Sequence, residues 1–153
     1  MGAEAARRNL QMNGEKFEFA SPAWFDALKK LLAVYTERAG PGVELTICEI
    51  FTNVPTHLDK NGNGVIAWHC VIEGGRVRFE ESAIAEADVH TEVDYDFIVR
   101  VARRIYTPEI MPEVDAYMAK GAAQGKLKST GKNRTKTPPS FIQMHNELAE
   151  RTL

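Results

Sequence analysis

Residues 87–131 decide the fold of this chain. They open with A-D-V-H-T-E-V-D-Y-D-F (87–97) and close with Q-G-K-L-K-S-T-G (124–131). Apolar and polar residues alternate over 89–93, which predicts a short strand, and Asp94 is a favourable cap for a following helix. The second segment predicts a basic strand that begins after a glycine. A strand, helical sequence and a further strand in this order are typical of a sheet with helices packed on one face.

Hydrophobic periodicity predicts four helical segments. The first is the clearest, because Ser21 is a favourable N-cap, Pro22 suits the first helical position and Gly40-Pro41-Gly42 ends the helix. The second follows Asp94 and is predicted to reach Thr107-Pro108. Two further segments begin at Met111-Pro112 and Thr137-Pro138-Pro139. The helix that begins at Pro22 has the apolar face Trp24, Phe25, Leu28, Leu31, Leu32 and Tyr35. The helix that follows Asp94 has the apolar face Phe97, Ile98, Val101, Ala102 and Ile105.

Three strands are predicted in hairpin order between the first two helices. Alternation from Val43 to Ile47 indicates a half-buried strand, and Glu49 interrupts it, which indicates a bulge or a strand end that faces water. Residues 65–72 are almost all apolar, as expected of a central strand covered on both faces. The Gly74-Gly75 pair indicates a tight turn into a third strand at 76–79.

The predicted fold class is α+β, with a five-stranded, mostly antiparallel sheet and helices on one face. A length of 153 residues fits one domain. Residues 1–20 lack a clear period, so we expect a flexible or short helical lead-in to a single domain at 21–153.

Composition excludes several classes of protein. A net charge of −2 argues against a nucleic-acid partner, and no apolar run approaches the length of a membrane-spanning helix. Cys48 and Cys70 lack the spacing of a redox or metal motif, which favours a reduced, cytoplasmic protein. Acidic residues concentrate in 79–99 and basic residues in 116–146. This asymmetry indicates either solvated faces with lysines along an edge strand, or an anionic partner.

No motif predicts a metal or a cofactor. Residues 59–64 match the first half of a calcium-binding loop, but Cys70 stands where the bidentate glutamate belongs, so a turn is the better interpretation. The four histidines have no metal-binding spacing. Glu49, Asp94 and Asp96 are the candidate acid-base groups, although carboxylates at a helix start usually cap it.

The quoted residues resemble the sterol carrier protein 2 (SCP-2-like) family. The resemblance rests on Ala87-Asp88-Val89 before the helix of Phe97, on Gly125-Lys126-Leu127-Lys128 leading to Gly131, and on the Gly74-Gly75-Arg76-Val77 hairpin. Lys132 departs from the family, which commonly has an aspartate there. The resemblance implies an apolar tunnel between sheet and helices that binds sterols, fatty acids or acyl-CoA without catalysis.

The first hypothesis is therefore a non-catalytic carrier of a hydrophobic small molecule. Methionine and aromatic side chains suit a cavity of variable contents, although such residues also fill ordinary cores. Lys126, Lys128 and Lys132 are predicted to bind a head group, with transient contact to a membrane surface. The predicted cavity residues are Phe25, Leu28, Leu32, Trp68, Phe97, Val101, Ile105, Met111, Met118, Phe141 and Met144.

Two alternatives stay open. One is a small enzyme acting on a hydrophobic or acyl substrate, with Glu49, His69, His90 or Asp96 as acid or base. The other is an interaction module that forms a homodimer, in which the acidic segment 80–96 meets the basic segment 120–136 of a second copy.

Overall fold

The computed structural model describes residues 15–153. Within them, five strands and four α-helices follow one another in the predicted order. The strands are β1 (Leu45–Thr52), β2 (Ile66–Glu73), β3 (Arg76–Glu80), β4 (Val89–Asp94) and β5 (Leu127–Ser129). The helices are α1 (Pro22–Ala39), α2 (Tyr95–Ala102), α3 (Met111–Ala123) and α4 (Phe141–Ala149).

The strands form one sheet in the order β3-β2-β1-β4-β5. Three of the four strand pairs are antiparallel, and β1 pairs with β4 in parallel. The predicted α+β class with a mostly antiparallel five-stranded sheet is confirmed. The central strand is β1 rather than β2, because β4 returns beside β1 instead of extending the hairpins.

Strand β1 carries no bulge at Glu49. Its pairing with β2 is continuous from Leu45 to Phe51, with Glu49 opposite Trp68. Side chains alternate between the two faces of a strand, so Glu49 shares the face of Ile47 and Phe51. The acidic residue therefore lies on the face that the helices cover, and the prediction that it would face water is wrong.

Helix α1 begins and ends as its sequence predicts. The Ser21 side chain accepts a hydrogen bond from the Trp24 amide at 3.3 Å, and Gly40 ends the helix with a φ of 91°. Its apolar face is buried against the sheet, where the Phe25 ring lies 6.2 Å from Phe79 of β3.

Asp88 joins the start of β4 to β1. Its carboxylate accepts hydrogen bonds from the Thr46 amide at 2.9 Å and the Thr46 hydroxyl at 3.2 Å, while its own amide donates to that hydroxyl. Asn133 and Lys136 donate to the same carboxylate. Gly131 passes so close that a Cβ there would lie 2.2 Å from the Asp88 carbonyl oxygen. The segment after β5 is thus tied to the β1–β4 pair.

The other face of the sheet is covered by the loop between β3 and β4. His69 on β2 bonds the Ser82 carbonyl oxygen at 2.6 Å, and His90 on β4 bonds the Ile84 carbonyl oxygen at 2.9 Å. The Cys48 thiol donates to the same Ile84 oxygen. These contacts explain how a sheet with helices on one face still buries residues on its other face.

Residues just before position 21 pack against the rest of the structure. Phe17 pairs with Thr152, and Phe19 lies in the core, 3% exposed, with its ring 5.0 Å from that of Phe51. The predicted lead-in at 15–20 is therefore neither helical nor loose, because the C-terminal residues hold it. Residues 1–14 of that prediction lie outside the described residues.

Helix α2 is shorter than predicted. It ends at Ala102, five residues before the Thr107-Pro108 boundary. The chain then runs beside α4, where Asn146 bonds both backbone groups of Tyr106. Ile105, which helical periodicity placed on the buried face, is 41% exposed as a result.

Helices α2 and α3 meet at a glycine. The Phe97 ring stacks on Tyr117 with a centroid distance of 4.4 Å, and a Cβ on Gly121 would lie 2.1 Å from Phe97 Cζ. The Tyr117 hydroxyl also donates to the Phe97 carbonyl oxygen at 2.8 Å. The ring therefore has little room to move away from a larger residue at position 121.

We predict that Gly121→Ala destabilises the protein by about 1–3 kcal/mol through overpacking. Helix propensity alone predicts the opposite sign, a gain of up to about 1 kcal/mol. Urea unfolding followed by circular dichroism measures the difference. Gly42→Ala is the control, because a Cβ at Gly42 meets nothing within 4 Å. Equal or higher stability of Gly121→Ala would contradict the proposed contact.

A candidate ligand cavity

The inner face of the sheet and the four helices enclose a cavity of about 610 Å³. Ligand sites for small molecules are typically about 300–1,000 Å³ and mostly apolar. Its walls are predominantly apolar, and it reaches solvent beside the exposed residues Asp115, Ser129 and Arg134. The apolar lining includes Leu28, Leu32, Ile47, Trp68, Val89, Ile98, Val101, Met111, Val114, Met118, Leu127, Met144 and Leu148.

Seven of the eleven predicted cavity residues line this space. They come from α1, β2, α2, α3 and α4, which their sequence positions do not show to be neighbours. They are Leu28, Leu32, Trp68, Val101, Met111, Met118 and Met144. That they bind a ligand stays a prediction.

The other four predicted residues lie elsewhere. Phe25 packs between α1 and β3 against Trp24 and Phe79. Phe97 fills the space between α2 and α3, and Phe141 is a buried core residue at the start of α4. Ile105 is exposed because α2 ends before it. Periodicity identified the buried face of a helix but not which of its residues border the cavity.

Glu49 is the acidic residue on the sheet side of the cavity. Its side chain is half-buried because it borders the cavity, and protein atoms surround it otherwise. Burial raises the pKa of the Glu49 carboxyl from 4.5 to about 7. In the sequence, Glu49 stands out as the single acid within a mostly apolar strand. The register of that strand decides which face of the sheet carries its side chain.

Tyr106 and His145 form part of the cavity wall. Their rings stack with a centroid distance of 3.7 Å, and His145 Nε2 bonds the Arg104 carbonyl oxygen at 2.8 Å. Burial lowers the pKa of His145, and a neutral ring that donates through Nε2 fits this bond. Asn146 holds Tyr106 by accepting from its amide at 2.7 Å and donating to its carbonyl oxygen at 2.9 Å. No pattern in the sequence predicted that Asn146 bonds the backbone of Tyr106.

The three predicted head-group lysines do not line the cavity. Lys128 lies opposite Glu92 across the β4–β5 pair, and Lys126 precedes β5. Lys132 borders a separate surface cleft near Asp88 and His90. Among the described residues, Arg134 is the cation at the cavity mouth. It belongs to the same basic segment but lies two residues beyond the predicted set.

The acidic and basic segments meet within one chain. Lys136 and Asp88 form an ion pair at 3.1 Å, and Glu92 faces Lys128 between adjacent strands. Exposed charge pairs of this kind are individually weak. The charge asymmetry of the sequence therefore has an intramolecular explanation, in addition to the homodimer hypothesis.

Of the four proposed acid-base residues, Glu49 borders the cavity and the other three do not. His69 and His90 lie on the opposite face of the sheet and bond loop carbonyl oxygens. Asp96 is exposed in the first turn of α2, and Asp94 caps that helix by accepting from the Phe97 amide at 3.1 Å. Among residues 15–153, no cluster of histidine, cysteine or carboxylate side chains could hold a metal ion.

Comparison with solved structures identifies the fold. A conserved hypothetical protein of Thermus thermophilus, described as a candidate sterol carrier protein, is 17% identical with a TM-score of 0.50, over 89% of this chain and 90% of its own. The chain has the SCP-2-like fold. Sterol carrier protein 2 is also similar, at 16% identity and a TM-score of 0.45 over 87% of this chain and 92% of its own.

A third SCP-2-like structure is that of the ubiquinone synthesis protein UbiJ-SCP2, at 14% identity and a TM-score of 0.38 over 84% of this chain and 95% of its own. No protein-family model and no curated protein matches the chain. In the described residues, none of the helices is long and apolar enough to cross a bilayer. The structural comparison confirms, at the level of the fold, the resemblance to the SCP-2-like family that the sequence indicated.

We predict that Glu49→Gln changes how stability depends on pH. The folded protein binds the Glu49 proton more tightly than the unfolded chain, so wild-type stability falls as pH rises from about 4.5 through about 7. The variant lacks this loss and should be more stable than wild type at about pH 8.5, by on the order of 2 kcal/mol.

Urea unfolding at several pH values tests this expectation. Glu92→Gln is the matched control, because Glu92 is an exposed carboxyl on the other face of the neighbouring strand β4. It should follow the wild-type slope. If the Glu49→Gln and wild-type curves run parallel from acid to alkaline pH, Glu49 is not a buried titrating group.

We predict that Asn146→Ala releases the segment that carries Tyr106. The substitution removes both hydrogen bonds to the Tyr106 backbone and should cost about 2 kcal/mol. Hydrogen exchange of the Tyr106 amide should accelerate with it. Gln143→Ala is the control on the same helix, since Gln143 is exposed. Unchanged exchange at Tyr106 would show that Asn146 does not hold this wall.

Proposed function

We propose that this protein binds a hydrophobic small molecule, such as a fatty acid, an acyl-CoA or a sterol-like lipid, in the cavity between sheet and helices. The observation that carries the proposal is the cavity itself, about 610 Å³ in volume with mostly apolar walls in a chain of 153 residues. Protein interiors are normally packed with few voids larger than a water molecule. A cavity of this size is better explained by ligand binding than by ordinary packing of a hydrophobic core.

The side chains around the cavity suit an apolar ligand. Met111, Met118 and Met144 come from two helices, and methionine adapts to ligands of different shape. Burying an eight-carbon chain contributes about 6 kcal/mol, at about 0.8 kcal/mol for each CH₂ group. The loss of translational and rotational freedom offsets part of this gain. For an eight-carbon chain we therefore expect a dissociation constant of about 0.1–1 mM, and tighter binding for longer chains.

The fold supports the same proposal. The Thermus thermophilus protein that shares it is described as a candidate sterol carrier protein. Identity of 17% shows the shared fold alone, so the type of cargo follows from the cavity and not from this relative. The exposed Arg134 at the mouth could meet an anionic group that stays in water, in place of the three lysines expected from the sequence.

We expect Met118→Trp to weaken binding of the neutral fluorescent probe N-phenylnaphthylamine by about tenfold or more, because the larger ring fills the cavity. Fluorescence titration measures the dissociation constant. Ile142→Trp is the control, since Ile142 is 50% exposed on α4 and does not line the cavity. The control should bind as wild type does.

Organic extraction of the purified protein followed by mass spectrometry gives an independent test. Co-purified lipid in wild type and less in Met118→Trp would agree with the proposal. Absence of both probe binding and extracted lipid in wild type would refute it.

A further inference from the structure

The position of Glu49 is unusual for a cavity that holds only hydrocarbon. Strand register places it between Trp68 of β2 and Thr91 of β4, and both neighbours share its face of the sheet. Trp68 is 3% exposed and Thr91 is 9% exposed. The carboxyl therefore lies in the middle of the sheet wall and not at the rim. A carboxyl in such surroundings costs free energy unless a partner compensates it.

No described residue supplies that compensation. Within residues 15–153, burial is the one cause of the raised Glu49 pKa, and no hydrogen-bond donor or cation lowers it. The buried indole N–H of Trp68, opposite Glu49, also has no partner among the described residues. The side chains that α1 and α2 present to the cavity are all apolar. The remaining charged or titratable groups around the cavity are Tyr106, Asp115, Arg134 and His145.

None of these four groups neutralises Glu49. Asp115 and Arg134 are exposed at the mouth, and His145 already donates its Nε2 hydrogen to the Arg104 carbonyl oxygen. Burial, and after it the negative charge of Glu49, raises the pKa of the Tyr106 hydroxyl. That hydroxyl thus stays protonated and lies within the electrostatic reach of Glu49. Cys70, on the same sheet face, has a pKa raised to about 12 by burial and is neutral as well.

We propose that Glu49 is the specificity-determining residue of the cavity, and that it selects apolar ligands that carry a hydrogen-bond donor, an amine or a hydroxyl, at the end that reaches the sheet. This inference rests on the proposed binding function and narrows its ligand class. An ammonium or hydroxyl group donates to the carboxylate and compensates its burial. A ligand carboxylate at the same place would put two negative charges side by side in an apolar space.

The inference separates this cavity from one that accepts any aliphatic chain. A fatty acid could enter only with its carboxylate directed to the mouth, where Arg134 lies. An amphiphilic amine or alcohol could bind with its polar end inward. The discriminating feature is the negative charge of the Glu49 carboxyl, which lies between Trp68 and Thr91 in a mostly apolar wall. The isosteric substitution Glu49→Gln removes that charge.

The test uses three probes with the same chain, octylamine, octanol and octanoate. Each displaces N-phenylnaphthylamine from the full chain at about pH 8.5, where Glu49, with a pKa of about 7, is ionised. We expect octylamine and octanol to bind wild type about tenfold or more tightly than octanoate does. In Glu49→Gln, the advantage of octylamine over octanoate should fall by about tenfold or more. Glu92→Gln changes net charge equally and should keep the wild-type order.

A second readout follows the Glu49 proton. Calorimetry of octylamine binding near pH 7, in two buffers of different ionisation enthalpy, should detect release of a fraction of a proton in wild type and in Glu92→Gln. Glu49→Gln should show no such release. A role of Glu49 in folding alone would not produce this difference.

The outcomes separate this inference from the proposed function. If all three probes bind but octanoate is not disfavoured, or if Glu49→Gln binds them in the wild-type order, the inference is overturned and the binding function stands. If N-phenylnaphthylamine binds wild type but none of the three octyl probes displaces it, the inference alone is overturned. If N-phenylnaphthylamine does not bind and no lipid is extracted, both are overturned. Tighter octylamine binding that depends on Glu49 and releases a proton supports both.

Discussion

The parallel pairing of β1 with β4 is the constraint on which the rest of the structure depends. The two hairpins alone would give a three-stranded sheet of β3, β2 and β1. The loop between β3 and β4 crosses the outer face of this sheet and brings β4 to the free edge of β1. The hydrogen bonds between Asp88 and Thr46 hold that return at its first residue. The Thr46 amide, followed by Lys136 and Asn133, lowers the pKa of Asp88 to about 2. The link therefore keeps its full strength above about pH 4 and is lost as the pH falls through about 2.

This pairing also builds the cavity wall. With Ile47 opposite Val89 and Glu49 opposite Thr91, the inner face of the sheet presents mostly apolar residues and one acid to the cavity. Over this face, Asn146 holds the non-helical segment after α2 and the Phe97 ring packs between α2 and α3. A gap remains where α2, α3 and α4 meet the sheet. The cavity results from these separate contacts and not from any single apolar stripe.

Local sequence accounted well for the elements and less well for their boundaries. Helix α1 and the cap of α2 follow directly from Ser21, Pro22 and Asp94, whose side chains and geometry act within a few residues. The end of α2 could not be predicted from nearby residues, because the Asn146 side chain, forty residues away, bonds the Tyr106 amide that a longer helix would use. The place of β1 at the centre of the sheet was also missed. An apolar run indicates a strand buried on both faces, but it does not show which of two such strands lies at the centre of the sheet.

For the site, hydrophobic periodicity identified most of the aliphatic lining and misplaced the aromatic residues. Buried aromatic rings are large enough to fill a gap between elements, so Phe25, Phe97 and Phe141 were used in packing. Methionines and leucines at the same kind of helical position border the cavity instead. The pattern of buried residues is identical in the two cases. Only the facing element decides whether a buried side chain meets another residue or a space.

The sequence by itself determined the fold class, the order of the strands and helices, and the family of folds that the chain resembles, because turns, caps and hydrophobic periods act over short distances. Tertiary structure alone decided the role of Glu49. A shift of one residue in strand register moves every side chain to the opposite face of the sheet. Only the pairing of β1 with both β2 and β4 sets the register that places Glu49 on the inner face. An acid that local sequence assigns to solvent thus lies in the wall of the cavity.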